Sequence, residues 1–261
     1  MTNVEISKDK CTVCGLCEKI CPVGIFKKED DEIVIIEKLI GRVCMACGQC
    51  VAACPNKAVS LDGIGAIEEE RFDKEILKKQ LPLLIRQRRS VRIYQNKPVT
   101  EADIKPILDT VRYSPSAKNM QCVSYTLLTG KSLEDFVKYC YDNIGIIGLD
   151  NFREAFYNKN KEVLFRHAPA VLIAHAPADR HISVTDCTIA LTLFDILAPL
   201  YDIGTCWAGY IMNLSKHDEN MKKHLKLKEG NEIYGILMLG HTGVKYSYTP
   251  QRKPADIEIR E

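Results

Sequence analysis

Cys11-Thr12-Val13-Cys14-Gly15-Leu16-Cys17-Glu18-Lys19-Ile20-Cys21-Pro22 is echoed 33 residues later by Cys44-Met45-Ala46-Cys47-Gly48-Gln49-Cys50-Val51-Ala52-Ala53-Cys54-Pro55. Both stretches follow C-x2-C-x2-C-x3-C-P, with glycine after the second cysteine. Eight of the chain's 12 cysteines lie here, and none lies between Pro55 and Gln121. The other four, Cys122, Cys140, Cys187 and Cys206, are scattered. Three thiols two residues apart can surround one centre only if the backbone curls round it. Glycine favours such a close approach, and proline after the fourth cysteine stops the curl.

Zinc usually takes two C-x2-C pairs, which is not this pattern. A disulfide framework would normally follow a secretory leader, and Met1 to Lys10 contains no apolar stretch to serve as one. Soft thiolates in this duplicated run suit two [4Fe–4S] clusters, with the fourth cysteine of each run ligating the other cluster. One cluster then falls to Cys11, Cys14, Cys17 and Cys54, the other to Cys44, Cys47, Cys50 and Cys21. Over about residues 1–62 the chain resembles a bacterial-type two-cluster ferredoxin. That stretch has 8 basic and 9 acidic residues and one aromatic, Phe26. So small a core needs its clusters as staples, and the apo protein should lose this region's fold first. Ile33 to Ile36 reads as a short strand after an acidic turn, Glu29 to Glu32.

The whole chain has 261 residues, 46% hydrophobic and 27% charged, with a net charge of +2. This balance excludes a nucleic-acid or membrane-surface partner recruited by bulk charge. No apolar run reaches the ~18–20 residues of a membrane span, and the expected setting is the cytoplasm. Gly63 to Ala66 punctuates the chain. The expected organisation is a ferredoxin domain over 1–65, a linker and helix over 66–79, and a second domain over 80–261. The helix should open near Glu68, and Pro82 should break it in two.

The second domain mixes helices and strands. Glu101 to Tyr113 has helical apolar spacing with Thr100 as N-cap. Val123–Thr129, Ala170–Ala174 and Ile233–Leu239 read as strands. Thr185 to Tyr201 is apolar nearly all round, a buried helix that Gly204 should cap. The class is α+β. Neither G-x-G-x-x-G nor G-x-x-x-x-G-K-[ST] occurs, which argues against a Rossmann or P-loop domain. The scattered cysteines are expected to be buried thiols. His217 and His224 should lie on a solvated, lysine-rich helix.

Four polar signals remain. Arg88-Arg89-Ser90-Val91-Arg92 ends a helix with groups that suit a phosphate. The others are Ser114 to Gln121, the small-residue turn Gly204 to Gly209, and Leu239-Gly240-His241 followed by Pro250 to Lys253. In this order they resemble the nitroreductase family of FMN flavoproteins over about residues 80–261. The resemblance implies a central antiparallel sheet flanked by helices, and a homodimer formed through the FMN domain. By the same resemblance, Arg88, Arg89, Ser90 and Arg92 hold ribityl and phosphate, and Arg252 and Lys253 the phosphate. Pro115, Ser116, Ala117 and Asn119 match the loop that reaches the flavin from the other subunit. Trp207, Ala208 and Gly209 match the turn whose backbone faces the ring. Two departures bear on substrate: Gln121 is followed by Cys122-Val123 where many members have Pro-Trp, and Ala208 stands where some have glutamate.

The expected function is an FMN- and iron–sulfur-dependent oxidoreductase. Electrons would pass from the clusters to FMN and on to a small-molecule acceptor: a nitroaromatic, quinone, activated alkene or flavin. The donor would be an external ferredoxin or NAD(P)H. NAD(P)H could instead reduce FMN, with electrons leaving through the clusters. A non-catalytic redox carrier or sensor is the third reading. The sequence singles out no general acid.

Overall fold

The computed structural model describes residues 2–260, which divide into two compact units. The first comprises residues up to Asp73 together with Ser116–Met120. The second comprises Lys74–Pro115 and everything from Gln121 onward. The short segment 116–120 thus packs with a unit whose other residues all precede it by more than forty positions.

In the first unit, β1 (Val4–Ile6) pairs antiparallel with β4 (Val59–Leu61), joining the two ends of the repeat. Between them come α1 (Leu16–Ile20), the hairpin β2 (Phe26–Glu29) and β3 (Glu32–Ile35), then α2 (Glu37–Val43) and α3 (Gln49–Ala53). The acidic turn sits at the hairpin tip, with Asp30 at φ +36°. Val4, Ile25, Phe26, Val51 and Val59 form a small core that includes Cys17 and Cys50.

In the second unit, α4 (Lys74–Gln87) and α5 (Glu101–Val111) precede β5 (Ser124–Thr129). There follow α6 (Gly130–Asn143), α7 (Asp150–Lys159), β6 (Ala170–Pro177) and α8 (Ser183–Leu197). The chain then continues through β7 (Ile203–Trp207), α9 (Gly209–His217), α10 (Met221–His224) and β8 (Asn231–His241). The strands form one antiparallel sheet in the order β5-β6-β8-β7. Strand alternation sends Val171 and Ile173 of β6 into one core, with Phe136, Cys140 and Tyr141 of α6 and Ile211 and Leu214 of α9. Leu172 and Ala174 face the other core, with Ile104, Ile107 and Val111 of α5 and Leu191 and Phe194 of α8. Burial on both faces explains why β6 reads as an unbroken apolar run.

Several local expectations are corrected. The helix near the junction begins at Lys74, not Glu68, and runs through Pro82 as one helix. Glu68 instead ion-pairs with Lys57. Pro82 is exposed, so water can take the carbonyl whose helical donor the proline lacks. Gly204 lies within β7, and Asp202, at φ +57°, ends the preceding 3-10 turn. The expected 204–209 turn is therefore a strand followed by a helix start. His217 and His224 sit on separate helices, and His224 stacks on Tyr139 at 4.1 Å between centroids. Cys140, Cys187 and Cys206 are buried, whereas Cys122 is only half-buried. Ser183–Tyr201, at a mean hydropathy of 1.4, has the length and composition to span a membrane. Here it carries the buried Asp186 and Asp195 and packs on the sheet.

Candidate functional site

The repeat is reproduced in three dimensions within the first unit. Val13 and Ala46 both adopt left-handed backbone, at φ +53° and +47°. Gly15 and Gly48 do so at +75° and +73°, where glycine carries no Cβ penalty. These turns curl each run round a cavity. Cys11, Cys14, Cys17 and Cys54 line one. Cys44, Cys47, Cys50 and Cys21 line another. The fourth cysteine of each run thus lines the cavity of the other run. Among the described residues, no three His, Cys, Asp or Glu side chains converge on a point fit for a single ion. Four thiols about each space, three of them two residues apart, suit a cluster better than zinc.

The surroundings of the sulfurs also repeat. The N–H of Ile25 donates to Cys21 Sγ at 3.5 Å, and that of Ala58 to Cys54 Sγ at 3.2 Å. Such bonds stabilise thiolate charge and tune a bound cluster. Burial raises the Cys17 thiol and pushes Cys50 up to about 11. Loading at neutral pH must therefore displace protons from these thiols. The two loops differ in what holds them. Asn56 Nδ2 donates to the Lys10 carbonyl and to Thr12 Oγ1, both at 3.1 Å, beside the first loop. Asn119 Nδ2 donates to the Ala46 carbonyl at 2.8 Å, inside the second loop.

In the second unit, Arg88, Arg89, Ser90, Arg92, Tyr246 and Arg252 line one cleft. The segment 88–92 is laid along β7: Val91 N–H donates to the Thr205 carbonyl at 2.8 Å, and Ser90 bridges Thr205. Val91 packs into the space left by Gly204, where a Cβ would lie 2.6 Å from Val91 Cγ2. Arg88 ion-pairs with the buried Asp195 at 3.3 Å, and Thr205 Oγ1 donates to the same carboxylate. Arg89 turns back to donate to the carbonyls of Arg88 (2.5 Å) and Arg86 (2.7 Å), satisfying the end of α4. Arg92 and Arg252 are exposed, as is Lys253, which does not line this cleft. The cleft offers fixed positive charge and a hydroxyl to an anion such as a phosphate ester.

The remaining expected site residues are distributed as follows. Trp207 ends β7, half-buried against the core of α5 and α8. The Ala208 N–H is taken by the Ile236 carbonyl at 2.9 Å. Gly209 opens α9, where helix N–H groups have no intrahelical partner. Pro115 ends a segment of the second unit, while Ser116, Ala117 and Asn119 pack with the first. Asp195, Thr205, Tyr246 and Asn56 escaped the sequence reading. Asp195 left one signal, a carboxylate inside an otherwise apolar helix, which must find a cation or a donor.

Comparison with known proteins agrees with this layout. The nitroreductase family model matches residues 85–241, and a 4Fe-4S dicluster domain model matches residues 3–72. A crystal structure of a nitroreductase with bound FMN from Bacteroides fragilis superposes with a TM-score of 0.59 at 23% identity. It covers 70% of this chain and 100% of the other, a likeness of fold. The chain is 37% identical over 75 residues to the polyferredoxin protein MvhB of Methanothermus fervidus, covering 26% of this chain and 16% of that protein. It is 39% identical over 51 residues to one subunit of an ion-translocating oxidoreductase complex of Methanosarcina acetivorans, covering 20% and 18%. The chain thus spans less than a fifth of the length of these curated relatives. A family match across most of the second unit, on an antiparallel sheet of that fold, establishes that the chain belongs to the nitroreductase family and carries an N-terminal 4Fe-4S dicluster domain.

Proposed function

We propose that this oxidoreductase binds FMN in the Arg88–Arg252 cleft and passes electrons from its two clusters through FMN to a small organic acceptor. Nitroaromatics, quinones, activated alkenes and free flavins are the acceptor classes. The observation that carries this reading is the pairing, in one chain, of two cysteine-ringed cavities with an arginine-lined cleft laid on β7. Bound FMN supplies storage of two electrons with one- or two-electron release, and each cluster supplies one electron at a time.

The residues present fit these groups. Arg92 and Arg252 face the cleft for the phosphate, Lys253 adds charge nearby, and Arg88 is held in place by Asp195. Ser90 offers a hydroxyl to phosphate or ribityl. Arg89 contributes mainly by closing α4, so that the segment leaves the helix in a defined direction. Gly209 supplies unpaired backbone N–H capacity at the start of α9, which suits negative charge developing on the ring. Pro115, Ser116, Ala117 and Asn119 would approach the flavin of a second subunit in a homodimer.

Anaerobic rapid mixing, followed at the flavin absorption band, tests the reading. A reduced ferredoxin-type donor should bleach the flavin of the wild-type protein. In Cys14→Ala, which removes one ligand from the first cavity, that bleaching should be lost while FMN stays bound. Rapid bleaching that persists in the variant would exclude the clusters from the route. Bleaching by NADPH or NADH alone would place the donor at the flavin and reverse the direction of flow.

A further inference from the structure

The two cluster loops are twins in backbone and strangers in support. Their left-handed residues, glycine N-caps and sulfur-bound N–H groups match at every repeat position. Each loop also receives one side-chain amide. Asn56, two residues after the second run, serves the first loop by gripping Lys10 and Thr12. Its repeat counterpart at the end of the first run would be Val23, which has no amide to give. The second loop takes its amide from Asn119, 73 residues away from Ala46.

The receiving carbonyl matters chemically. Ala46 sits between Cys44 and Cys47, in a left-handed conformation that is unfavourable for a non-glycine residue. A donor on its carbonyl secures that conformation and polarises the Ala46–Cys47 peptide, beside the sulfurs. Asn119 is itself left-handed, at φ +53°, and its segment packs with the first unit, so the amide is presented from a fixed backbone. A dipole fixed with its positive end toward a site that gains negative charge stabilises the reduced form.

We propose that Asn119 is a positioning residue of the second cluster site: its amide clamps the Cys44–Cys47 loop and raises the reduction potential of that site alone, the part Asn56 plays for the first. This rests on the reading that the cysteine-ringed cavities hold clusters. The family resemblance also implies contact of Asn119 with the flavin, so flavin content is read beside the potentials.

The test is a redox titration of anaerobically reconstituted full-length protein, followed by electron paramagnetic resonance. Iron, sulfide and flavin contents are measured on the same samples. Asn119→Gly keeps the left-handed backbone accessible and removes the amide, so it should fold. It should lower one of the two cluster potentials, changing the reduced-to-oxidised ratio at fixed potential up to tenfold, about 59 mV for one electron. Asn119→Asp, which places a carboxylate at the same position, should lower the same potential further. Asn56→Ala should lower the other potential. The proposal is overturned if Asn119→Gly moves neither potential, or if it moves the one that Asn56→Ala moves. Loss of flavin with both potentials unmoved would also overturn it, by returning Asn119 to the flavin site. Wild-type protein lacking iron and sulfide would overturn the cluster reading itself, and this proposal with it.

Discussion

The two units solve the same problem, giving a site a stable frame, by opposite means. The second unit buries a four-stranded sheet between two apolar layers, with Phe194, Leu191 and Leu172 fully enclosed on one side and Phe136, Tyr141 and Ile211 on the other. Its cleft is a feature on the surface of a core that is complete without it. The first unit has few buried side chains, and two of them, Cys17 and Cys50, are expected ligands. Its core is organised around its cavities. The lesson is that one unit should be indifferent to its cofactor for folding, while the other should depend on it.

The harshest way to break this comparison is to remove the iron. Chelation under reducing conditions should abolish protection of the β1–β4 and β2–β3 amides in hydrogen exchange while leaving β5–β8 protected. Equal loss in both units, or in neither, would remove the distinction. Next in size is Phe194→Ala, which opens a cavity in the layer beneath α8. A loss of about 3–5 kcal/mol is expected in the urea unfolding of the second unit, with cluster absorbance unchanged until that transition.

A smaller effect concerns the boundary between core and cleft. Asp195→Asn removes the charge that holds Arg88 and accepts from Thr205. It should cost about 1–3 kcal/mol of stability, and it should weaken FMN retention, read by fluorescence of released flavin, by roughly tenfold. Loss of stability with unchanged flavin affinity would make Asp195 a core residue only. The smallest effect is a pH dependence confined to the second unit. Burial holds His175 below its usual 6.5, and the ring is bonded by Asn231 Nδ2 at 2.8 Å and Thr126 Oγ1 at 3.1 Å. Its native pKa is depressed, so the unfolded chain takes up the proton first. Stability should be full above about 6.5 and should decline as pH falls below it. Equilibrium unfolding between pH 7.5 and 5 should show this slope, and His175→Gln should flatten it.

How much of this was legible in the sequence follows the range of the forces involved. The cysteine runs could be read because ligand spacing is a local constraint, whereas the crossing of Cys21 and Cys54 came with the resemblance to bacterial-type two-cluster ferredoxins. The sheet could be read because doubly buried strands must be continuously apolar, as Ala170–Ala174 is. Pro82 misled because its penalty depends on exposure, which the sequence does not display. Gly204 misled because glycine also permits close packing: the space it leaves is filled by Val91, a neighbour chosen by tertiary structure. Asp195 was hidden within a helix judged by its apolar majority, and its partners, Arg88 and Thr205, become adjacent only once β7 is laid beside the 88–92 segment. Asn119 was legible as a polar residue in a loop, but nothing local says that its amide ends on Ala46.

That last bond also has a consequence in time. A protein leaves the ribosome from its N-terminus at about 5–20 residues per second. The amide that grips the first loop emerges almost together with the second cysteine run, at Asn56. The amide that grips the second loop emerges only after α4 and α5 have been made. A nascent chain paused between the two carries one loop secured and its twin open. The repeat, symmetrical in its finished backbone, thus receives its two amides from parts of the chain made at different times.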